Sequence, residues 1–375
     1  MELTNIRLGD YIERSTINNK ELKYGVDLIV GVNSQGVFAA PKGNTDGVDL
    51  KPYKIVENGT FVYNPTRLEL GSIAYRTEGL CIVSHLYMVF YLTDEGKKII
   101  DPMWLYIYFR RSEFCREVKF RNFGSQRPEF NFNDMSDIVI PLPDIEIQKK
   151  YVDIYNAMLE NQKSYEYGLE NLKLACDAYI EDLKHGIHCK SIGPYVERYD
   201  VRNRTNEIKN VMSVSTSKEF REPTSKVNRN ELSNYKIVRP RQISFVQTTH
   251  NEKVFAYAFN NTEDDIVVTS VNEVFSVDED KLLPEYLCMF FNRTEFDRYA
   301  RFHSWGSARE TFTWDDLVKV EIPIADMKTQ KSIADIYKAY KERKAINDKL
   351  KVKIKDICPI LIKGSIEEAR QAKEA

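Results

Sequence analysis

The sequence has no hydrophobic run long enough to cross a membrane. A membrane-spanning helix needs about 18 or more consecutive apolar residues, and no such run occurs among the 375 residues. The first residues, MELTNIRLGDY, also lack the basic and then apolar pattern of a secretory signal peptide. These absences predict a cytoplasmic protein with no membrane partner, and its length suits two or three globular domains.

Cysteine pairs with the spacing of metal ligands or redox centres are also missing. The six cysteines are scattered and form no CxxC motif, so we expect free thiols in a reducing compartment. His185, His188 and Cys189 lie close together but have irregular ligand spacing. We interpret them as a solvated helix end, and we expect no bound metal.

Known catalytic motifs are absent as well. An adenine methyltransferase needs a cofactor loop and an Asn/Asp-Pro-Pro-aromatic turn, but Asn64-Pro65-Thr66-Arg67 lacks the second proline and the aromatic residue. A metal-dependent nuclease needs clustered carboxylates with a lysine, whereas Pro143-Asp144 and Asp182-x-Lys184 are far apart on one predicted helix. No Walker loop or HExxH motif occurs. These absences predict a binding protein with no catalytic residue and no cofactor of its own.

The net charge of −2 gives no sign of a nucleic-acid partner, but the charges are segregated along the chain. Residues 110–127 carry six basic side chains and two acidic ones, and residues 198–241 carry eleven basic and five acidic. Acidic residues collect elsewhere, as in Glu263-Asp264-Asp265. Such segregation can present a cationic face to phosphates even on a neutral protein.

An internal repeat is the strongest feature of the sequence. Shifted by 182 residues, residues 101–158 match residues 283–340 at 22 of 58 positions without a gap. YKIV occurs at both Tyr53 and Tyr235, and with a two-residue slip LGDYIER from Leu8 matches IGPYVER from Ile192. A period this long excludes a solenoid. We therefore predict two copies of one module, packed with pseudo-twofold symmetry.

Each copy is predicted to begin with short strands and to continue with a helix. The first copy has β-branched and aromatic runs at 61–63, 72–75 and 81–92, and the second has them at 243–246, 254–259 and 266–277. A proline opens the predicted helix in each copy, at 102–119 and 284–301. A Gly-Ser turn and a final strand, ending IPLP or IPIA, then lead into a long helical tail.

The two tails show the apolar spacing of three and four residues that is typical of a coiled coil. In the first tail the stripe runs from Ile147 to Leu183, and in the second it runs from Ile333 to Leu361. Asp144 and Asp326 are predicted N-caps, and Pro359 is expected to kink or end the second helix. The fold class is thus α+β, with two pseudo-symmetric globular domains joined by two long helices that form an antiparallel coiled coil.

Several polar turns at matching positions in the two copies are candidates for contacts with DNA. Hydroxyls and amides there can bind phosphate, and an arginine can bind phosphate or guanine. The candidates of the first copy are Asn33, Ser34, Gln35, Thr66, Arg67, Arg121, Ser125, Gln126 and Arg127. Those of the second copy are Ser215, Thr216, Ser217, Lys218, Thr248, Thr249, His250, Asn251, Arg301, Ser307 and Arg309. Ordinary turn chemistry is the alternative interpretation for each residue taken singly.

The whole chain resembles the specificity subunits of Type I restriction–modification systems. The resemblance depends on the ordered pair IPLPDIEIQKKYVDIYNAML and IPIADMKTQKSIADIYKAY, each opening a long helix, and on GTFVYNPTRLELGSIAY from Gly59. It implies target-recognition domains at 1–143 and 189–325 and spacer helices at 144–188 and 326–375, the last including a C-terminal tail. Two features depart from the pattern: Ala325 stands where the first copy has Pro143, and Pro359 interrupts the second helix.

The resemblance also implies a function and a set of partners. The two domains would read the halves of a bipartite target in double-stranded DNA. Two modification subunits would clasp the helices, and restriction subunits would join them; S-adenosylmethionine, Mg²⁺ and ATP would bind to those partners. Two other functions stay open: a single-chain restriction–methylation enzyme, which the missing cofactor loop disfavours, and a coiled-coil scaffold with two protein-binding domains.

Overall fold

The computed structural model describes residues 3–41, 43–122, 129–248, 254–304 and 310–374. The chain divides into two compact units, which we call unit 1 and unit 2. Unit 1 comprises Met1–Ser164 and Asn347–Ala375, and unit 2 comprises Tyr165–Ile346. Each unit therefore contains one globular domain together with one segment of each of the two long helices.

Unit 1 is built on a four-stranded antiparallel sheet with the order β2-β9-β6-β7. The pairs β1-β10, β3-β4 and β5-β8 add three small two-stranded sheets. The ten strands are β1 Thr4–Arg7, β2 Ile12–Arg14, β3 Gly31–Val32, β4 Phe38–Ala39, β5 Lys54–Val56, β6 Thr60–Tyr63, β7 Ile73–Tyr75, β8 Cys81–Val83, β9 Met88–Leu92 and β10 Val139–Leu142.

Four short helices complete the globular part of unit 1. They are α1 Asp94–Ile99, α2 Pro102–Phe109, α3 Ser112–Arg121 and α4 Phe132–Ser136. Single 3-10 turns lie at Leu8–Asp10, Val26–Leu28 and Leu68–Leu70. The first long helix, α5 Ile145–Gly186, follows β10 and continues into unit 2.

Unit 2 repeats this arrangement. Its four-stranded sheet has the order β12-β19-β16-β17, and its small sheets are β11-β20, β13-β14 and β15-β18. The strands are β11 Cys189–Ser191, β12 Val196–Tyr199, β13 Ser213–Val214, β14 Phe220–Arg221, β15 Lys236–Val238, β16 Ile243–Val246, β17 Tyr257–Phe259, β18 Ile266–Val268, β19 Asn272–Val277 and β20 Glu321–Pro323.

The helices of unit 2 also follow the order seen in unit 1. A 3-10 turn lies at Gly193–Tyr195, and the helices are α6 Pro284–Asn292, α7 Thr294–Phe302, α8 Trp314–Leu317 and the second long helix, α9 Met327–Glu374. Apart from α1 and two of the 3-10 turns, each described element of unit 1 has a counterpart in unit 2 in the same order, and the sheet order is the same. The duplication and the α+β class predicted from the sequence are therefore confirmed.

The structure corrects two kinds of predicted element, a helix and a strand in each copy. The helices predicted at 102–119 and 284–301 are each broken in two, because the backbone is extended at Arg111 and at Arg293 (ψ 147° and 146°). The predicted strands at 81–92 and 266–277 are likewise each divided, giving β8 and β9 in unit 1 and β18 and β19 in unit 2. The break between α2 and α3 turns α3 toward the 3-10 turn at Leu68–Leu70, where the two elements pack together.

Helix α2 lies in the centre of the core of unit 1. The six consecutive residues from Trp104 to Phe109 are all buried, as expected of a helix that is covered on every side. One side of this core is formed by the four-stranded sheet, including Phe61 and Phe90, whose rings stack at 5.0 Å. The other side is formed by segments of the two long helices. Each fully buried aromatic side chain stabilises the fold by roughly 1.5–3 kcal/mol.

The two long helices are antiparallel within each unit. In unit 1, Lys150 pairs with Glu368 and Gln162 with Asn347, so partner numbers fall as residue numbers rise. In unit 2, Ile180 packs in one cluster with Ile333 and Tyr337, whereas Gly168 lies beside Arg343. The predicted N-caps are confirmed, because Asp144 accepts from Glu146 N at 3.1 Å and Asp326 accepts from Thr329 N at 3.0 Å.

The sequence predicts that Pro359 kinks or ends the second long helix, but the helix continues past it. A proline inside a helix costs about 3 kcal/mol because it removes a hydrogen bond and its ring meets the preceding turn. The turns around Pro359 bury Cys358, Leu361 and Ile362 in the core of unit 1. Since each buried aliphatic side chain contributes roughly 1.5–3 kcal/mol, this packing offsets the cost and α9 continues to Glu374.

Candidate nucleic-acid interface

A buried arginine joins two of the predicted DNA-contacting turns in unit 1. The Arg110 guanidinium donates through Nη1 to the carbonyl oxygen of Gly71, and the same nitrogen lies 3.5 Å from the carbonyl oxygen of Ser34. Gly36 has a positive φ of 75° and approaches Arg110 so closely that a Cβ atom would collide with the guanidinium. The turn at 33–36 and the turn at 67–71 are therefore held side by side.

A third predicted segment ends beside these turns. Helix α3 packs on the 3-10 turn that follows Arg67 and ends at Arg121. The chain then passes through residues 123–128, which lie outside the described part, and the Phe130 amide donates to the carbonyl oxygen of Pro65 at 3.1 Å. Unit 1 thus brings the predicted segments around residues 34 and 66 and the C-terminal end of the 123–128 segment to one place.

The candidate side chains of unit 1 differ in whether they are exposed or already hydrogen-bonded within the unit. Asn33 Oδ1 accepts from the amides of Gln35 and Val37, so Asn33 builds its own turn, whereas the side chains of Ser34 and Gln35 are exposed. Thr66 Oγ1 donates to Asn64 Oδ1 at 2.9 Å.

Two arginines complete this surface of unit 1. Arg67 is exposed and has no side-chain partner among the described residues. Arg121 is also exposed, but it binds Glu117 through Nε and Nη2 at 3.1 and 2.8 Å. Arg67 is therefore the cation in this group that is most available to an external phosphate.

In unit 2 the structure argues against two of the predicted contacts. Lys218 is buried; its Nζ donates to the carbonyl oxygen of Phe291 at 2.6 Å and pairs with Asp297 at 2.8 Å. Burial lowers the pKa of this ammonium, although Asp297 opposes the shift. Ser215 is buried as well and donates to the Glu219 carbonyl at 2.8 Å. Both side chains hold the turn together, so we leave them out of the interface proposed below.

The described candidates Thr216, Ser217 and Thr248 of unit 2 align with Ser34, Gln35 and Thr66 of unit 1, whereas Arg301 aligns with Lys119. Thr216 is half-buried and Ser217 is exposed at the tip of their turn. The Phe312 amide donates to the carbonyl oxygen of Gln247 at 2.8 Å, as Phe130 does to Pro65 in unit 1, and Thr248 forms an isolated bridge with Thr311. Arg301 is exposed near the end of α7 and has no ion-pair partner among the described residues.

Eight of the predicted contacts lie outside the described residues. They are Ser125, Gln126, Arg127, Thr249, His250, Asn251, Ser307 and Arg309. Their roles remain predictions from the sequence.

A polar cluster that the sequence analysis missed lies beside the turn of unit 2. Glu273 is buried and binds the half-exposed Arg198 through two hydrogen bonds of 2.8 and 2.7 Å. The Gln247 amide donates to the same carboxylate, and Lys236 lies 3.6 Å from it. By strand register Met88 takes the place of Glu273 in unit 1, so the two units present different chemistry on one framework. The basic segment at 198–241 was the sequence signal for this cluster.

Two glutamines missed by the sequence analysis fasten the long helices to the globular domains. Gln148 is fully buried; its Oε1 accepts from Asp101 N at 2.8 Å, and its Nε2 donates to the carbonyls of Ile99 and Pro143. Gln330 makes the same three bonds at the equivalent positions of unit 2, to Leu283, Lys281 and Ala325. The signal in the sequence was the shared glutamine of IEIQKK and MKTQKS.

The described part of the chain offers little to a metal or a membrane. No group of three or more His, Cys, Asp or Glu side chains there is placed to hold a metal ion. No helix in the described ranges has the length and apolar character needed to cross a membrane.

Comparison with known proteins identifies the family. The family model described as the Type I restriction modification DNA specificity domain matches the chain twice, over residues 2–169 and 204–356. The chain therefore belongs to this family and consists of two DNA-specificity domains of the Type I restriction–modification kind. No curated protein sequence matches the chain significantly.

One solved structure supports the fold. The S subunit of a Type I restriction–modification system from M. genitalium has a TM-score of 0.59 and 11% identity, and the match covers 98% of this chain and 96% of that one. Two further structures are similar over their length at lower TM-scores. The HsdS subunit from Thermoanaerobacter tengcongensis has a TM-score of 0.40, 15% identity and coverage of 97% and 96%. A chain from work on assembly and conformational transition of the type I R-M system has a TM-score of 0.47, 15% identity and coverage of 98% and 97%.

Proposed function

We propose that this chain is the non-catalytic specificity subunit of a Type I restriction–modification complex in the cytoplasm. Unit 1 and unit 2 each read one half of a bipartite sequence in duplex DNA, and partner subunits methylate or cleave the DNA. The domains comprise 1–143 and 189–325, with spacer helices at 144–188 and 326–375. The observation that carries the proposal is one framework built twice with different polar groups at the equivalent turns.

The buried framework is the same in both units because its function is structural. Gln148 and Gln330 make equivalent hydrogen bonds, and the sheets have the same strand order. The exposed turns differ: Ser34-Gln35 in unit 1 corresponds to Thr216-Ser217 in unit 2. A protein that reads two different half-sites needs a constant frame and variable side chains at the base edges.

The exposed surface of α5 in unit 2 is a candidate docking site for a modification subunit. Tyr167 and Leu174 are each 67% exposed and are seven residues apart, so they lie on one face of the helix. We propose that this pair packs against a modification subunit, which brings the S-adenosylmethionine site that this chain lacks. Restriction subunits, with Mg²⁺ and ATP, would join that assembly.

The docking site can be tested by changing the pair to aspartate. Tyr167→Asp with Leu174→Asp should abolish co-purification of the modification subunit, while the far-ultraviolet circular dichroism of the chain stays unchanged. The control is Tyr167→Phe with Leu174→Ile, which keeps the apolar stripe and should assemble normally. Normal assembly by the aspartate variant would remove these two residues from the interface.

DNA reading is tested by a salt titration of duplex binding by the assembled complex. The logarithm of affinity should fall steeply with the logarithm of salt concentration, since each neutralised phosphate adds about 0.9 to the slope. Arg67→Ala should reduce that slope by about one if Arg67 binds phosphate, or cost about 1–3 kcal/mol at one target position if it reads a base. Lys23→Ala removes the same charge from unit 1 outside the predicted turns and is the control.

Methylation mapping decides between the proposal and the other two functions. Replacing residues 1–143 with a related domain should change one half of the methylated sequence and leave the other half unchanged. Methyl transfer by the chain alone would favour a single-chain enzyme. Absence of duplex binding by the assembled complex would favour a scaffold, and a change in both half-sites would show that the domains read jointly.

A further inference from the structure

An exposed phenylalanine occupies the same position in both units. Phe120, in the last turn of α3, is 82% exposed, and Phe302, in the last turn of α7, is 78% exposed. The two residues are 182 positions apart, which is the repeat shift. Single exposed apolar side chains are common on proteins, but the same large ring at the same place in both copies calls for an explanation.

The structure accounts for the other identities between α3 and α7. Their ten aligned positions, 112–121 and 294–303, share four residues. The first phenylalanine, Phe114 or Phe296, is buried in the core of its unit.

The shared Glu and Arg pair with each other on the surface of each helix, at 3.5 Å in α3 and 3.1 Å in α7. The fourth identity, Phe120 or Phe302, has no such role in either unit. A residue that is identical in both copies but has no structural role within its own unit indicates a binding partner outside the unit.

The helices that carry the two rings pack on the candidate DNA-contacting turns. In unit 1, α3 packs on the 3-10 turn directly after Arg67, and the chain returns at Phe130 to bond Pro65. In unit 2 the chain returns in the same way at Phe312 to bond Gln247. In unit 2, Asp297 of α7 pairs with Lys218 of the turn at 215–218 at 2.8 Å. Phe120 and Phe302 are therefore carried on helices that pack against these turns.

The charges around the rings fit a nucleic acid. Lys119 and Arg121 flank Phe120, and Arg301 and His303 flank Phe302. Lys119 and Arg301 are exposed and have no acidic partner among the described residues. The His303 ring lies 5.1 Å from the Phe302 ring. An apolar ring beside an exposed cation, Lys119 or Arg301, suits DNA, whose phosphates border stacked bases, better than an apolar protein groove.

We propose that Phe120 and Phe302 are aromatic wedges that stack on a base of the target duplex, one at each half-site. This inference rests on the proposed function, because the methylation it assigns to partner subunits requires the target base to leave the helix. An apolar side chain at an opened base step takes the place of the lost stacking and favours the distorted DNA. Lys119 and Arg301, beside the rings, hold the neighbouring phosphates.

The test uses the complex assembled with its modification subunits and duplexes that carry 2-aminopurine within or next to one half-site. Phe120→Ala should weaken binding of the target by about 5- to 100-fold without changing the salt slope, since no charge is removed. It should also abolish the fluorescence increase that reports unstacking in the half-site read by unit 1. Phe302→Ala should act in the same way on the other half-site.

Two further variants serve as controls. Phe120→Tyr keeps the ring and should retain affinity and fluorescence change within about two-fold of the parent. Val139→Ala shortens an exposed apolar side chain on β10 of the same unit and should leave both readouts unaltered.

The outcomes separate this inference from the proposed function. Equal affinity and fluorescence for the parent and both alanine variants would overturn the wedges while leaving DNA reading intact. Loss of the modification subunit from the Phe120→Ala complex would show that the ring docks a protein instead and would also overturn the inference. If the parent complex binds no duplex, the proposed function fails and the inference fails with it.

Discussion

Gln162 on α5 donates from Nε2 to Asn347 Oδ1 on α9 at 2.9 Å, and both side chains are buried. The pair forms a polar layer within an otherwise apolar helix seam in unit 1. A buried amide pair in a helix seam specifies register, because any other alignment leaves its polar atoms among apolar neighbours. The apolar spacing of the two tails does not reveal a partner for Gln162; the structure supplies it.

Removing one member of this pair should destabilise the chain. Asn347→Leu takes away the buried acceptor, so the free energy of unfolding should fall by about 1–2 kcal/mol. Changing Gln162 and Asn347 together to leucine should recover part or all of this loss, because an apolar layer replaces the polar one. Urea unfolding of the three chains measures the effect. An Asn347→Leu chain as stable as the parent would contradict the assigned role.

Gln148 should be among the most sensitive positions of unit 1. Gln148→Leu leaves one buried amide and two carbonyls without their hydrogen bonds, so stability should fall by about 2–4 kcal/mol. Gln330→Leu should cause a similar loss in unit 2, where the same three bonds occur. Gln35→Leu, at an exposed turn position, is the matched control. Thermal unfolding is the measurement, and a loss as small as that of the control would show that the contacts contribute little.

The residue pair Gly36 and Arg110 of unit 1 can be replaced by the residues that occupy the equivalent positions in unit 2. Position 36 corresponds to Lys218 and position 110 to Asn292, and in both units a buried cation fills the space between the turn and the helix end. Gly36→Lys alone should destabilise unit 1 by more than about 2 kcal/mol, because Arg110 occupies that space and φ is positive.

The double variant Gly36→Lys, Arg110→Asn should be more stable than the sum of its single changes predicts. We expect a coupling of at least about 1 kcal/mol in a double-mutant cycle measured by urea unfolding. Additive effects would mean that the two units do not share this site. Gly79→Lys, at another positive φ but in a more open place, is the control for backbone strain.

Alkaline pH should weaken the fold of unit 2. The Tyr257 hydroxyl is buried, donates to the Cys288 carbonyl at 2.7 Å and lies 3.5 Å from the Tyr337 hydroxyl. Burial raises the pKa of Tyr257 and of Tyr337 above the usual value near 10. The folded chain keeps these protons where the unfolded chain releases them, so their stabilisation is fully present below about pH 10 and is lost as pH rises.

The expected loss is about 1.4 kcal/mol per pH unit above about 10 for each such tyrosine. The check is the urea midpoint together with tyrosinate absorbance from about pH 8 to about pH 11. Tyr257→Phe should show a shallower dependence on pH. Full tyrosine ionisation with the fold and midpoint unchanged would show that these hydroxyls are not shielded from water.

Features that repeat or depend on neighbours in the chain could be predicted from the sequence. The shift of 182 residues revealed the two modules, and the apolar stripes revealed both long helices, whose first residues follow the predicted caps Asp144 and Asp326. The positions of the polar turns were also visible. Each of these signals arises from backbone preferences and side-chain periodicity within a short stretch.

The tertiary structure alone decided what depends on residues far apart in the chain. Lys218 was a reasonable DNA ligand by type and position, yet it is buried because Phe291 of α6 and Asp297 of α7, more than seventy residues away in the chain, approach it. Pro359 was expected to disturb or end its helix, yet packing on unit 1 continues it. Whether a cation faces solvent or a proline breaks a helix is set by burial and long-range contacts, which local sequence patterns do not encode.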